Sequence, residues 1–254
     1  MQQTRTARAN PVASLRESYG TLSRFLTDDP VRQLWVSPFP SYPDVHKGRS
    51  LYFSGGCSFS ALCIASSYGL YDVLQQILSS GIDPIDPERG VNCVDGGGRS
   101  PLSWAASRGY MGVALALLDC GADIETRDNR GKTPLSWAAE NEHNGVVQLL
   151  LDRGADIETR DSGNGQTPLS WAAMNGRNGV VQLLLGRGAD TERRDSEWGR
   201  TPLSWAAERG RDRVVQLLLD RGANIESGDN WGLTPLPWGL GSAVWVRPCG
   251  AATA

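Results

Sequence analysis

The chain has 254 residues, 40% of them hydrophobic and 21% charged, with a net charge of −3 and a pI near 5.5; this balance excludes general disorder. A protein that lives on phosphate contacts needs a basic face, and none is offered: even the Arg-rich run 187–221 sets eight arginines against seven acids and reads as a solvated, mixed-charge face. Nucleic acid is therefore not expected as a partner. Nor is a membrane, since no apolar run approaches the ~18 residues that span a bilayer.

Residues 1–57 stand outside any repeat and read as a linker with one short helix. Arg5, Arg8, Arg16 and Arg24 against the single acid Glu17 are compatible with a mitochondrial presequence. No apolar block follows Arg5 and Arg8, so a secretory signal is not indicated, and the expected location is the cytoplasm or nucleus. Pro11 to Leu26 suits a short amphipathic helix stopped by Asp28-Asp29-Pro30. Trp35 to Pro43 holds three prolines in nine residues, which forbids regular helix and predicts an extended connector. Its Trp35, Phe39 and Tyr42 are expected along the outer face of the first repeat.

From Ser58 onward the chain is periodic. The phrase TPLSWAA occurs at Thr133–Ala139, Thr167–Ala173 and Thr201–Ala207, with a variant at Ser100–Ala106 and a decayed copy from Thr234. Its leucines, Leu62, Leu102, Leu135, Leu169, Leu203 and Leu236, are spaced by 40, 33, 34, 34 and 33 residues. A fixed period of this size predicts stacked helix-turn-helix units: an all-α solenoid. The units fall near 58–90, 98–130, 131–163, 165–197 and 199–231, with a partial one at 232–238 and an irregular tail over 239–254. The first is degenerate, with Ser60-Ala61-Leu62-Cys63-Ile64-Ala65 in place of TPLSWA and an apolar helix from Val73 to Leu78. Asp83 to Gly98 reads as a lengthened surface loop; it lacks the Gly-Lys-Ser/Thr ending that cradles phosphate.

Within a unit, Thr133 caps a helix through its hydroxyl and Pro134 occupies the first turn, where no N–H is needed. Gly109, Gly176 and Gly210 mark the next turn, but the third unit has Glu142 there, which predicts a left-handed non-glycine residue. The second helix, Val146 to Leu151, is apolar nearly all round and is expected to be clamped between neighbouring units. The run D-x-x-G-x-TPL, the AA pair, the VVxLLL helix and the GAD-I ending resemble the ankyrin repeat over about Ser58 to Leu236. The wording is similar to the ankyrin arrays of large fungal proteins, including the repeat end of fungal nucleotide-binding sensors. One departure is consistent: the family's TPLH has become TPLS, so Ser103, Ser136, Ser170 and Ser204 replace a histidine that helps tie adjacent repeats together.

Five cysteines without a CxxC pair, and two distant histidines (His46, His143), supply no zinc site and no disulfide framework, which favours a reducing compartment. No histidine stands near a nucleophile, so no enzyme and no cofactor are expected. The ladder Trp104, Trp137, Trp171, Trp205 and Trp238 recurs so regularly that packing of each ring on the next unit is the favoured reading. Trp198 and Trp231 lie instead in the turns before TPL, where the fold asks for no aromatic. The resemblance implies a non-enzymatic scaffold that binds a protein on the concave face of fingers and first helices. Carried onto the variable positions here, that face comprises Arg130, Lys132, Glu140, Asn141, Asn164, Met174, Asn175, Trp198, Arg200, Glu208, Arg209 and Trp231, with Asn129, Gln166, Asn230 and Leu233 beside them. The alternatives are a ligand-sensing repeat fragment of a nucleotide-binding immune-type protein, or a decayed gene product. The sequence after Trp238 loses the VVxLLL helix, which predicts a frameshift or mis-annotated end within the sixth unit. A monomer is expected, with self-association through the uncapped C-terminal end as the alternative.

Overall fold

The computed structural model describes residues 60–80, 90–235 and 245–246. Five antiparallel helix pairs follow one another: α1 (Ala61–Tyr68) with α2 (Tyr71–Ser80), α3 (Pro101–Arg108) with α4 (Met111–Asp119), α5 (Pro134–Glu140) with α6 (Asn144–Asp152), α7 (Pro168–Asn175) with α8 (Asn178–Gly186), and α9 (Pro202–Glu208) with α10 (Asp212–Asp220). First helices pack on first helices and second on second, giving two layers in a solenoid. The expected helix from Pro11 to Leu26, the aromatic connector and most of the tail lie outside the described residues.

Each first helix starts the way its sequence dictates. The hydroxyls of Ser100, Thr133, Thr167 and Thr201 accept from the backbone N–H of Ser103, Ser136, Ser170 and Ser204 at 3.2, 3.4, 3.2 and 3.3 Å, and proline follows each cap. The same hydroxyls lie 3.1–3.3 Å from the serine side chains of the TPLS phrase. The serine that stands where the family has histidine thus turns back into its own repeat. Leu102, Leu135, Leu169 and Leu203 are fully buried between the layers, each contributing about 1.5–3 kcal/mol through burial. The alanine pairs beside them are equally buried and let neighbouring helices approach.

The turn between helices is left-handed at Gly69, Gly109, Gly176 and Gly210, and Glu142 is the non-glycine residue that shares it, at φ 67°. At the other end of the repeat, the recurrent acids bind successive units together. Glu125 accepts from the Asp156 N–H at 2.8 Å and the Thr159 hydroxyl at 3.1 Å; Glu192 accepts from the Asn224 N–H at 2.8 Å and the Ser227 hydroxyl at 2.6 Å. Between them Glu158 accepts from the Asp190 N–H at 2.8 Å. Arg193 stands where its neighbours have Thr or Ser, 3.9 Å away, and burial pushes the Glu158 carboxyl up.

The decayed copy of the phrase departs from the earlier ones at its start: Thr234-Pro235 does not open a helix as the earlier Thr-Pro pairs do but pairs antiparallel as β1 (Thr234–Pro235) with β2 (Trp245–Val246).

Candidate functional site

The fingers that project before each first helix are built around an aspartate. One carboxylate oxygen closes the finger: Asp128 Oδ1 accepts from the N–H groups of Arg130 and Lys132 at 2.8 and 2.9 Å, and Asp95, Asp161, Asp195 and Asp229 do the equivalent in their own fingers. In four fingers the other oxygen takes the indole N–H of the repeat's tryptophan: Trp104 to Asp95 at 2.9 Å, Trp137 to Asp128 at 3.1 Å, Trp171 to Asp161 at 2.9 Å and Trp205 to Asp195 at 3.0 Å. Fingers are joined to one another through the backbone, Ser162 N–H to Arg130 C=O at 2.8 Å and Asn230 N–H to Trp198 C=O at 2.9 Å. The tryptophans of the phrase are therefore anchored pieces of the scaffold.

The rings do not simply stack. The residue before each capping Ser or Thr reaches in beside them. Arg99 lies 4.7 Å from the Trp104 ring and 3.6 Å from Trp137. Lys132 lies 4.4 Å from Trp137 and 3.2 Å from Trp171, and Arg200 lies 4.9 Å from Trp205 and 5.2 Å from Trp198. Each such contact is worth about 0.5–2 kcal/mol, more as water is excluded. Burial pulls the Arg99 and Lys132 pKa values down, and the neighbouring carboxylates oppose it: Asp128, Asp95 and Glu140 at Arg99; Glu140, Asp161 and Asp128 at Lys132. Lys132 is paired with Glu140 at 2.8 Å, and Arg200 with Glu208 at 2.8 Å.

The unit between these two pairs breaks the series. Gln166 and Met174 occupy the places of Lys132 and Glu140. Gln166 is 1% exposed and its Oε1 has no hydrogen-bond partner. Over this break opens a groove of about 880 Å³, walled by Trp171, Trp198 and Trp205 and edged by Arg130, Arg209 and Arg211.

Of the twelve residues expected at the partner face, all but Asn141, Arg200, Glu208 and Trp231 line this one groove. Two of those expected as surface positions are internal. Lys132 and Glu140 form an ion pair with side chains only 3% and 11% exposed, held there by the two tryptophan rings. Asn141 and Asn175 donate to the carbonyls of Trp137 and Trp171 at 2.9 and 2.8 Å, closing the ends of their helices. Trp198 packs on Trp205, ring centroids 5.1 Å apart, whereas Trp231 is 56% exposed. Glu208 and Arg209 are exposed, and Met174 and Asn164 are half-buried. Arg99, Trp171 and Arg211 were not singled out as face residues. The signal for Arg99 lies in the alternation Arg99, Lys132, Gln166, Arg200 before each cap, read together with Glu140, Met174 and Glu208 eight residues after its last three members.

Among the described residues, His143 is the one histidine, and it is engaged by backbone. His143 lies against the Ser107 carbonyl, to which its Nε2 donates at 3.1 Å, and among the described residues no group of His, Cys, Asp or Glu is placed to hold a metal. A family description of ankyrin repeats matches residues 62–161 and 158–229. The chain belongs to the ankyrin-repeat family. No curated protein matches it. Ankyrin repeats are in general protein-interaction modules, and the fold is typically non-enzymatic. Among the described residues of this ankyrin array, no helix is long and apolar enough to cross a membrane.

Proposed function

We propose that the array is a non-enzymatic scaffold that binds a partner protein on its concave face, at the groove over Gln166. The observation that carries this reading is convergence: eight of the twelve positions singled out as varying between otherwise near-identical repeats fall together around one groove, whereas the repeated positions are spent on caps, core and finger closure. An exposed or half-exposed aromatic among arginines is the composition of interface hot spots, and Trp198 and Trp231 supply it at the fingers.

Affinity capture from native extract with quantitative mass spectrometry tests the proposal. A partner held by the wild-type chain should be lost with Trp198→Ala plus Arg209→Glu, and retained with Asp119→Asn on the second-helix layer. Equal capture by both variants overturns the concave-face reading.

A further inference from the structure

We propose that the groove over Gln166 takes an extended, acidic segment of the partner, which rests on the protein-binding reading above and narrows it. Three observations meet in the groove. The first is the break in the ladder. In the neighbouring repeats the chain's own cation fills the space beside the tryptophan rings and is answered by its own carboxylate, Lys132 by Glu140 and Arg200 by Glu208. Gln166 and Met174 leave the same space without charge of either sign.

The second is an unspent hydrogen-bonding group. Gln166 is buried with its Oε1 unpartnered, which costs roughly 1–3 kcal/mol until a donor arrives. The terminal torsion of a glutamine is broad and soft, so the carboxamide turns toward the groove at little cost. It then presents one acceptor and two donors, the pattern that matches the N–H and C=O of an extended peptide group. A groove of about 880 Å³ lies within the range of about 300–1,000 Å³ typical of ligand sites and accommodates a few residues of extended chain.

The third is the sign of the charge that remains. Arg130, Arg209 and Arg211 are exposed at the rim, and no ion pair engages them among the described residues. The carboxylates nearby are already committed: Glu140 to Lys132, and Asp161 to finger N–H groups and to the Trp171 indole. A basic guest would meet three arginines and no free acid; an acidic guest finds guanidinium partners in Arg130 and Arg209 and in the remaining N–H groups of Arg211, whose Nε donates to the Met174 carbonyl at 3.2 Å, with Trp171 and Trp198 as apolar walls for its side-chain stems. The whole chain carries a net charge of −3, so the positive character is local. That suits a short acidic stretch and works against a long polyanion such as single-stranded nucleic acid.

Selection of a phage-displayed library of random linear peptides on the full chain, followed by fluorescence anisotropy with one synthesised representative, decides the matter. Peptides rich in Asp and Glu should be enriched. Their dissociation constant should rise at least about tenfold, which is about 1.4 kcal/mol, in Gln166→Lys plus Met174→Glu, a pair that refills the space as the Lys132 repeat does. Arg209→Glu should weaken binding by a similar factor. Circular dichroism confirms that both variants are folded. A basic or wholly apolar consensus overturns the proposal, as does binding indifferent to the Gln166 and Met174 changes, absence of any enriched peptide, or displacement of the peptide by an oligothymidine strand at lower concentration. A protein partner captured through Trp198 and Arg209 whose contact segment is basic removes this inference and leaves the scaffold reading standing; loss of all capture removes both.

Discussion

The repeat built on Lys132 can be converted to the design of its neighbour, and the energetics of that change follow from the structure. Lys132→Gln and Glu140→Met together reproduce the Gln166/Met174 arrangement one unit upstream. Either change alone strands a buried charge, Lys132 beside the Trp137 and Trp171 rings or Glu140, its partner having been 2.8 Å away with side chains 3% and 11% exposed. Breaking a buried pair by removing one partner typically costs about 3–5 kcal/mol. Here the cost falls below that range, to about 2 kcal/mol for each single change, because Arg99 lies near enough to act on Glu140, and Asp161 and Asp128 act on Lys132. The double change removes both charges and should cost only about 1 kcal/mol, giving a coupling of about 3 kcal/mol. Urea unfolding followed by tryptophan fluorescence and by far-UV circular dichroism measures all four corners of the cycle. If each single change costs less than about 0.5 kcal/mol, or the double costs the sum of the singles, the pair is not the coupled internal unit inferred from its geometry.

Two further outcomes test the frame that holds the groove. Glu142→Gly should stabilise the array by about 0.5 kcal/mol in urea titrations: relief of a left-handed non-glycine residue is worth about 1–2 kcal/mol, partly offset by the freer unfolded chain and by loss of a partly exposed pair with Arg177 at 3.2 Å; a loss of stability refutes the strain. Burial holds the His143 pKa below its ordinary 6.5, with Arg177 pushing the same way and the Ser107 carbonyl and Glu142 opposing. The unfolded chain therefore binds the proton more readily, so stability should be full above about pH 6.5 and fall as the pH drops toward the folded value; in His143→Gln this part of the pH dependence should vanish when stability is titrated from pH 8 to 5, and an unchanged slope would refute the assignment.

What the chain determines by itself is whatever closes within a turn or two of backbone. The capping Thr-Pro start, the left-handed Glu142, the apolar second helices and the period of the array are all legible because the interacting atoms are neighbours in sequence. The convergent variable positions were legible too, as variation against a repeating background. Their environments were not. Whether Lys132 is a surface lysine or a cation beside Trp137 and Trp171 depends on how one repeat superposes on the next, a contact across more than thirty residues of chain. Likewise Gln166 reads as one more polar residue before a cap until stacking shows that its equivalents are internal cations. The tertiary structure alone decides this, because the offset between repeats is set jointly by the core leucines, the alanine pairs and the finger-to-finger hydrogen bonds, and only that offset determines which side chains share a space and which space is left for a guest.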